Sequence, residues 1–120
     1  MKKHVFVHDD VYKTGYYVCY KTTVKEYSAI IKKVTGVVHV PGAGDGNEGR
    51  VTGNCYECYY GGKILIFIWA LSLPCLLHEL FHAVSWTLRA RFSLNDKTDE
   101  PYAYFFESLF RRTWRAIHEK

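Results

Sequence analysis

His78-Glu79-Leu80-Phe81-His82 is the stretch of this chain whose residue types and spacing best suit a reaction. Histidines four apart share one face of a helix, so two imidazoles placed this way can grip a single metal ion. Glu79 is displaced by one position and can reach a water on that metal without ligating it. Zinc makes such a water acidic and a neighbouring carboxylate takes its proton, which is the chemistry of metal-assisted peptide hydrolysis. A catalytic zinc normally takes a third protein ligand from elsewhere in the fold. Glu100 follows His82 by 18 positions. If the first helix runs to Arg89, the eight residues Arg91–Thr98 can stretch to roughly 27 Å, against the roughly 10–12 Å of helix to be retraced. Glu100 can reach the metal. Glu107, two turns further on the same face, is the reserve ligand.

Each of these residues also has a plain structural reading. The histidines can be satisfied by solvent or by core carbonyls, and Glu100 can be an acid favoured by a helix N-terminus. Tyr102 and Tyr104 can be core aromatics rather than donors to a transition state. His4, His8, His39 and His118 have no ligand spacing.

For the pentad to act, it must lie in a helix held against a scaffold. Ser72 and Pro74 mark a helix start, and no breaker follows until about Arg89. Asp99-Glu100-Pro101 opens a last helix to about His118, with Arg111, Arg112 and Arg115 late, an order that suits the helix dipole. Upstream, Val5–His8 and Tyr16–Tyr20 read as neighbouring strands. Thr23-Val24-Lys25-Glu26 is a capping box for an amphipathic helix stopped by Gly36. Val37–Val40 reads as a strand leading into a glycine-rich loop, Pro41–Gly49, a mobile surface segment or a flap over substrate. Val51–Tyr60 and Lys63–Trp69 form a hairpin through Gly61–Gly62, and the second strand, apolar on both faces, needs cover on both. The expected fold is α+β: a single domain, residues 1–120, with a small, mostly antiparallel sheet packed against the pentad helix and the glutamate helix.

Composition agrees with one densely packed domain. In 120 residues, 48% are apolar and 17% aromatic, which excludes a disordered chain. The formal charge of +4 is scattered rather than gathered into a stripe, so no nucleic-acid partner is expected. Ile64–Leu77 lacks charges but is fourteen residues long and contains Pro74, too short for the roughly 20 needed to cross a bilayer. The acidic pair Asp9–Asp10 cuts off any secretory signal, so a cytoplasmic location is expected. Cys55 and Cys58 have CxxC spacing, but on one strand they point to opposite faces and suit neither zinc nor redox pairing.

HELFH followed by Glu100-x-x-Ala103 at the head of the next helix resembles the gluzincin branch of HExxH metallopeptidases. It is most similar to single-domain minigluzincins and to short phage-encoded HExxH proteins. The latter carry a DE-x-x-AY segment, matched here by Asp99-Glu100-Pro101-Tyr102-Ala103-Tyr104. The resemblance covers about Lys63 to Arg115. It implies Zn²⁺ held by His78, His82 and Glu100, with Glu79 as general base. Many gluzincins place an aspartate four residues after the third ligand to orient a histidine. Tyr104 stands there in this chain, and its phenol can make that hydrogen bond instead. The metzincin branch is excluded, because its third histidine would fall at Leu88.

Two functions follow. One is a zinc metallopeptidase whose peptide or protein substrate pairs with an edge strand, for which Lys63–Trp69 is the candidate. The other is a zincin-fold binding or regulatory protein with weak or no turnover, such as a phage factor acting on a target in the host cytoplasm. The intact Glu79 favours the first and the small size favours the second. The oligomeric state is not legible.

Overall fold

The computed structural model describes residues 1–42 and 51–119. Seven elements follow in order: β1 (His4–Asp9), β2 (Thr14–Tyr20), α1 (Val24–Thr35), β3 (Gly53–Tyr60), β4 (Lys63–Ala70), α2 (Leu73–Arg89) and α3 (Asp99–His118). The expected α+β architecture is present. The strands form one sheet in the order β1-β2-β4-β3. β1 with β2 and β3 with β4 are antiparallel hairpins, and the two hairpins join through a parallel β2–β4 pairing.

Alternation along the strands decides which helix covers which face. In β4, Ile66, Ile68 and Ala70 point into a core with Leu76, Leu80, Ala83, Val84 and Leu88 of α2 and with Phe105, Leu109 and Ile117 of α3. Leu65, Phe67 and Trp69 point the other way, onto Tyr27 and Ile31 of α1. The two buried faces anticipated for this strand are both real, with one helix on one side and two on the other.

Local chemistry sets the element ends. Thr23 and Glu26 form the capping box at the start of α1, and Gly36, at φ 76°, ends the helix with its N–H on the Lys32 carbonyl at 2.8 Å. Gly61 and Gly62 have φ of 60° and 78°, which a two-residue hairpin turn requires.

Two expectations need correction. Val37–Val40 is not a strand, and Val38 is 73% exposed. β-branched residues favour extended backbone, but a strand also needs a partner, and among the described residues no strand pairs with this segment, although His39 stacks on Tyr56 of β3. Lys63–Trp69 is not an edge either, because β4 pairs on both sides. Its unbroken apolar run is the signature of an interior strand. Among the described residues, the free edges belong to β1 and β3. The reading of Pro41–Gly49 as a mobile loop or flap falls mostly on residues outside those described.

The connection that positions the pentad is short. β4 ends at Ala70, and the Leu71 N–H donates to the Thr52 carbonyl at 3.0 Å, tying the chain to the segment that enters β3. α2 begins two residues later, so its first turns lie over the start of β3. Its far half is anchored by the buried Tyr16 hydroxyl, 2.6 Å from Thr87 Oγ1, which in turn donates to the Ala83 carbonyl at 2.8 Å. No helix among the described residues is long and apolar enough to cross a membrane.

Candidate metal centre

The buried stripe of α2 is Leu76, Glu79, Leu80, Ala83, Val84, Thr87 and Leu88. With that stripe fixed against the sheet, helical spacing turns His78 and His82 to the outer flank, His78 exposed and His82 half-buried. Their rings meet edge to face with centroids 4.7 Å apart, and the two Nε2 atoms are 3.1 Å from each other. Two imidazoles on one tetrahedral zinc, at 2.0–2.1 Å each, have their nitrogens about 3.3 Å apart. The rings are within hydrogen-bond distance of each other, and the same spacing is compatible with a shared ion.

Glu79 belongs to the same group. Its carboxylate and the two imidazoles offer ligand atoms that all lie within 4.8 Å of one another. One position along the helix turns this side chain toward β3, and the residue is only 9% exposed. Among the described residues it makes no hydrogen bond or ion pair. Burial pushes its carboxyl above the ordinary range, and the neighbouring His78 and His82 pull it back in part. A largely buried carboxylate with no partner among the described residues, beside two histidines, is a candidate general base.

Gly53 makes room for it. A Cβ at this position would stand 2.9 Å from Glu79 Oε2, 3.2 Å from Glu79 Cγ and 3.2 Å from the Trp69 carbonyl oxygen. The carboxylate could swing away, but the carbonyl belongs to β4 and cannot. Gly53→Ala should therefore displace the Glu79 carboxylate and cost about 1–3 kcal/mol, the usual range for overpacking. A urea melt beside an activity assay checks both effects. Motif spacing does not single out Gly53, and the available signal is a glycine opening a strand that carries three tyrosines.

A cleft of about 530 Å³ opens at this point, lined by Val51, Thr52, Gly53, Pro74, Cys75, His78 and Glu79. It runs between the head of α2 and the entry to β3, so the floor is the general-base candidate and one wall belongs to an edge strand. Cys75 is a second residue that motif spacing did not reveal. It lies one turn before His78 and enters the cleft only because the helix begins directly after β4.

The candidates on α3 are placed differently. The Tyr102 hydroxyl donates to the Phe92 carbonyl at 2.7 Å, just beyond the end of α2, and Phe106 packs on Phe81 with centroids 6.3 Å apart. α3 thus runs back antiparallel along α2. In that register Glu107 lies within a residue of the level of Phe81, while Glu100 is about 9 Å further toward the end of α2, at 1.5 Å per residue. Glu100 is exposed in the first turn, its N–H donating to Asp99 Oδ1 at 3.0 Å. Glu107 is exposed and paired with Arg111 at 3.1 Å. Tyr104 is 67% exposed and has no hydrogen bond to either histidine. The structure brings together His78, Glu79 and His82, while Glu100, Glu107 and Tyr104 stand outside that group.

Cys55 and Cys58 do face opposite sides of the sheet, Cys55 packing against the α2–α3 core and Cys58 against the α1 core. Two imidazoles with a carboxylate beside them are a donor set that could hold a metal ion. Compared with models of known protein families, with curated proteins and with solved structures, the chain matches none.

Proposed function

We propose that this chain is a small zinc-dependent hydrolase of peptide bonds, with His78 and His82 holding the ion and Glu79 as its general base. The observation that carries the proposal is the pair of Nε2 atoms 3.1 Å apart beside a buried, unpartnered carboxylate. Zinc bound there would supply Lewis acidity, polarising a substrate carbonyl and making a water easier to deprotonate. Glu79 would take that proton at its carboxylate and pass it to the leaving amine. Gly53 lies against Glu79 and leaves room for its carboxylate at the floor of the cleft. An extended peptide pairing with the edge of β3 would lie along the cleft wall at Thr52 and Gly53.

The third ligand comes from α3 in this proposal. Glu100 is the residue implied by the resemblance to gluzincins, and Glu107 is the nearer one along the helix axis. Each is exposed, so truncation should leave the fold intact and report on the metal alone. Glu100→Ala weakening zinc binding more than Glu107→Ala assigns the ligand to Glu100, and the reverse order assigns it to Glu107. Metal analysis of protein purified without chelator tests the proposal as a whole. About one equivalent of zinc supports it, and failure to take up added zinc sinks it.

The second reading, a binding or regulatory protein with little turnover, draws on one observation. Neither α3 acid joins the histidine pair, and a two-histidine site holds zinc weakly.

A further inference from the structure

We propose that Cys75 is a thiol-modification site, where a low-molecular-weight disulfide of glutathione size forms a mixed disulfide that closes the cleft over His78 and Glu79. The inference rests on the reading of this cleft as the mouth of the metal centre. Cys75 is part-exposed in the first turn of α2, three residues before His78, and lines the same cleft. Residues three apart on a helix are neighbours, so a group attached at Cys75 is within reach of the His78 imidazole.

The four cysteines are free, and their surroundings separate them. The Cys75 Sγ lies 3.4 Å from the Thr52 hydroxyl, and its backbone N–H donates to the Ser72 hydroxyl at 3.4 Å. The Ser72 and Thr52 hydroxyls draw the thiol below its ordinary pKa, and the α2 N-terminus favours negative charge at the same spot. Cys19 is fully buried, and burial pushes its thiol up to about 12. Burial likewise pushes Cys55 well above the ordinary thiol range. Cys58 is half-buried in the core beneath α1, on the opposite face of the sheet from the cleft.

A second observation points to a ligand in the cleft. The Glu79 carboxylate lines it, is nine-tenths buried, and has no partner among the described residues. The cleft volume of about 530 Å³ also falls in the range of roughly 300–1,000 Å³ that holds small organic groups.

The reaction is an exchange. The Cys75 thiolate attacks one sulfur of the disulfide, the new S–S bond forms, and the reagent's S–S bond breaks. The electron pair leaves on the second sulfur, which takes up a proton, so Cys75 is oxidised as the departing half is reduced. An added thiol reverses the step.

The test uses the full chain and oxidised glutathione, with peptide mapping by mass over time. Cys75 should be modified at least about tenfold faster than Cys58, with Cys19 and Cys55 unreacted in the folded protein. Thr52→Val should slow the Cys75 reaction. In the adduct, carbethoxylation of His78 by diethyl pyrocarbonate should be lost and should return with dithiothreitol. Cys75→Ser protein should show neither protection nor adduct at that position. Equal modification of Cys58 and Cys75, or an adduct that leaves His78 as reactive as before, overturns the proposal. Zinc uptake on the same unmodified samples keeps the two readings apart. A protein that binds no zinc refutes the metal centre, while His78 labelling still judges the thiol.

Discussion

Replacing Glu79 by glutamine should leave zinc bound and the fold intact while hydrolysis of a susceptible peptide falls by at least about a hundredfold, the usual scale of general-base loss. Glutamine has the same shape, so it fits against Gly53 and keeps the cleft, but it cannot accept a proton from water. The substitution also has a metal-free consequence. Burial raises the Glu79 carboxyl, so the folded chain holds that proton more tightly than the unfolded chain. Stability should therefore be fullest below the ordinary carboxylate range and should fall as pH rises through the raised value. Glu79→Gln removes this fall, so the metal-free variant should be no less stable than the parent near neutral pH. Peptide cleavage, zinc content and urea melts at two pH values read all of this from one pair of proteins. Equal cleavage by parent and variant would end the general-base assignment even with zinc in place. If neither cleaves and both have the same cellular effect, the binding-protein reading takes over.

His82→Ala should weaken zinc binding by more than about a hundredfold, because losing only a hydrogen-bond partner of a ligand already costs about 10–100-fold. The fold should persist. His82 is half-buried, its ring lies on the outer flank of α2 near Trp86, and the buried stripe of the helix does not include it. Circular dichroism should thus be unchanged while titration with zinc loses its tight phase. A variant that holds zinc as well as the parent would show that the pair is not the ligand set. His8→Ala is the matched control, since His8 lies on β1 and its partner is the exposed Asp10.

Much of the fold was legible because its elements carry their own punctuation. The capping box at Thr23, the paired glycines 61 and 62, and the uninterrupted run from Ser72 to Arg89 are each local signals, and each element appears where its signal stands. The errors arose where a segment's fate depends on a partner. Val37–Val40 has strand composition but pairs with no strand among the described residues. For Lys63–Trp69, an edge or interior place is a property of sheet order and not of one strand.

The sequence by itself determined that His78, Glu79 and His82 would gather on one helix. The histidine spacing is the helix period, Glu79 is the next residue along, and the ligand atoms of the three lie within 4.8 Å of one another. Only the tertiary structure decided what surrounds them. The approach of β3 buries Glu79 against Gly53, and the tight exit from β4 puts Cys75 in the cleft. The antiparallel return of α3 sets which acid comes level with the pair. Short-range spacing fixes what one helix presents, whereas these contacts join residues far apart in the chain and depend on how sheet and helices pack.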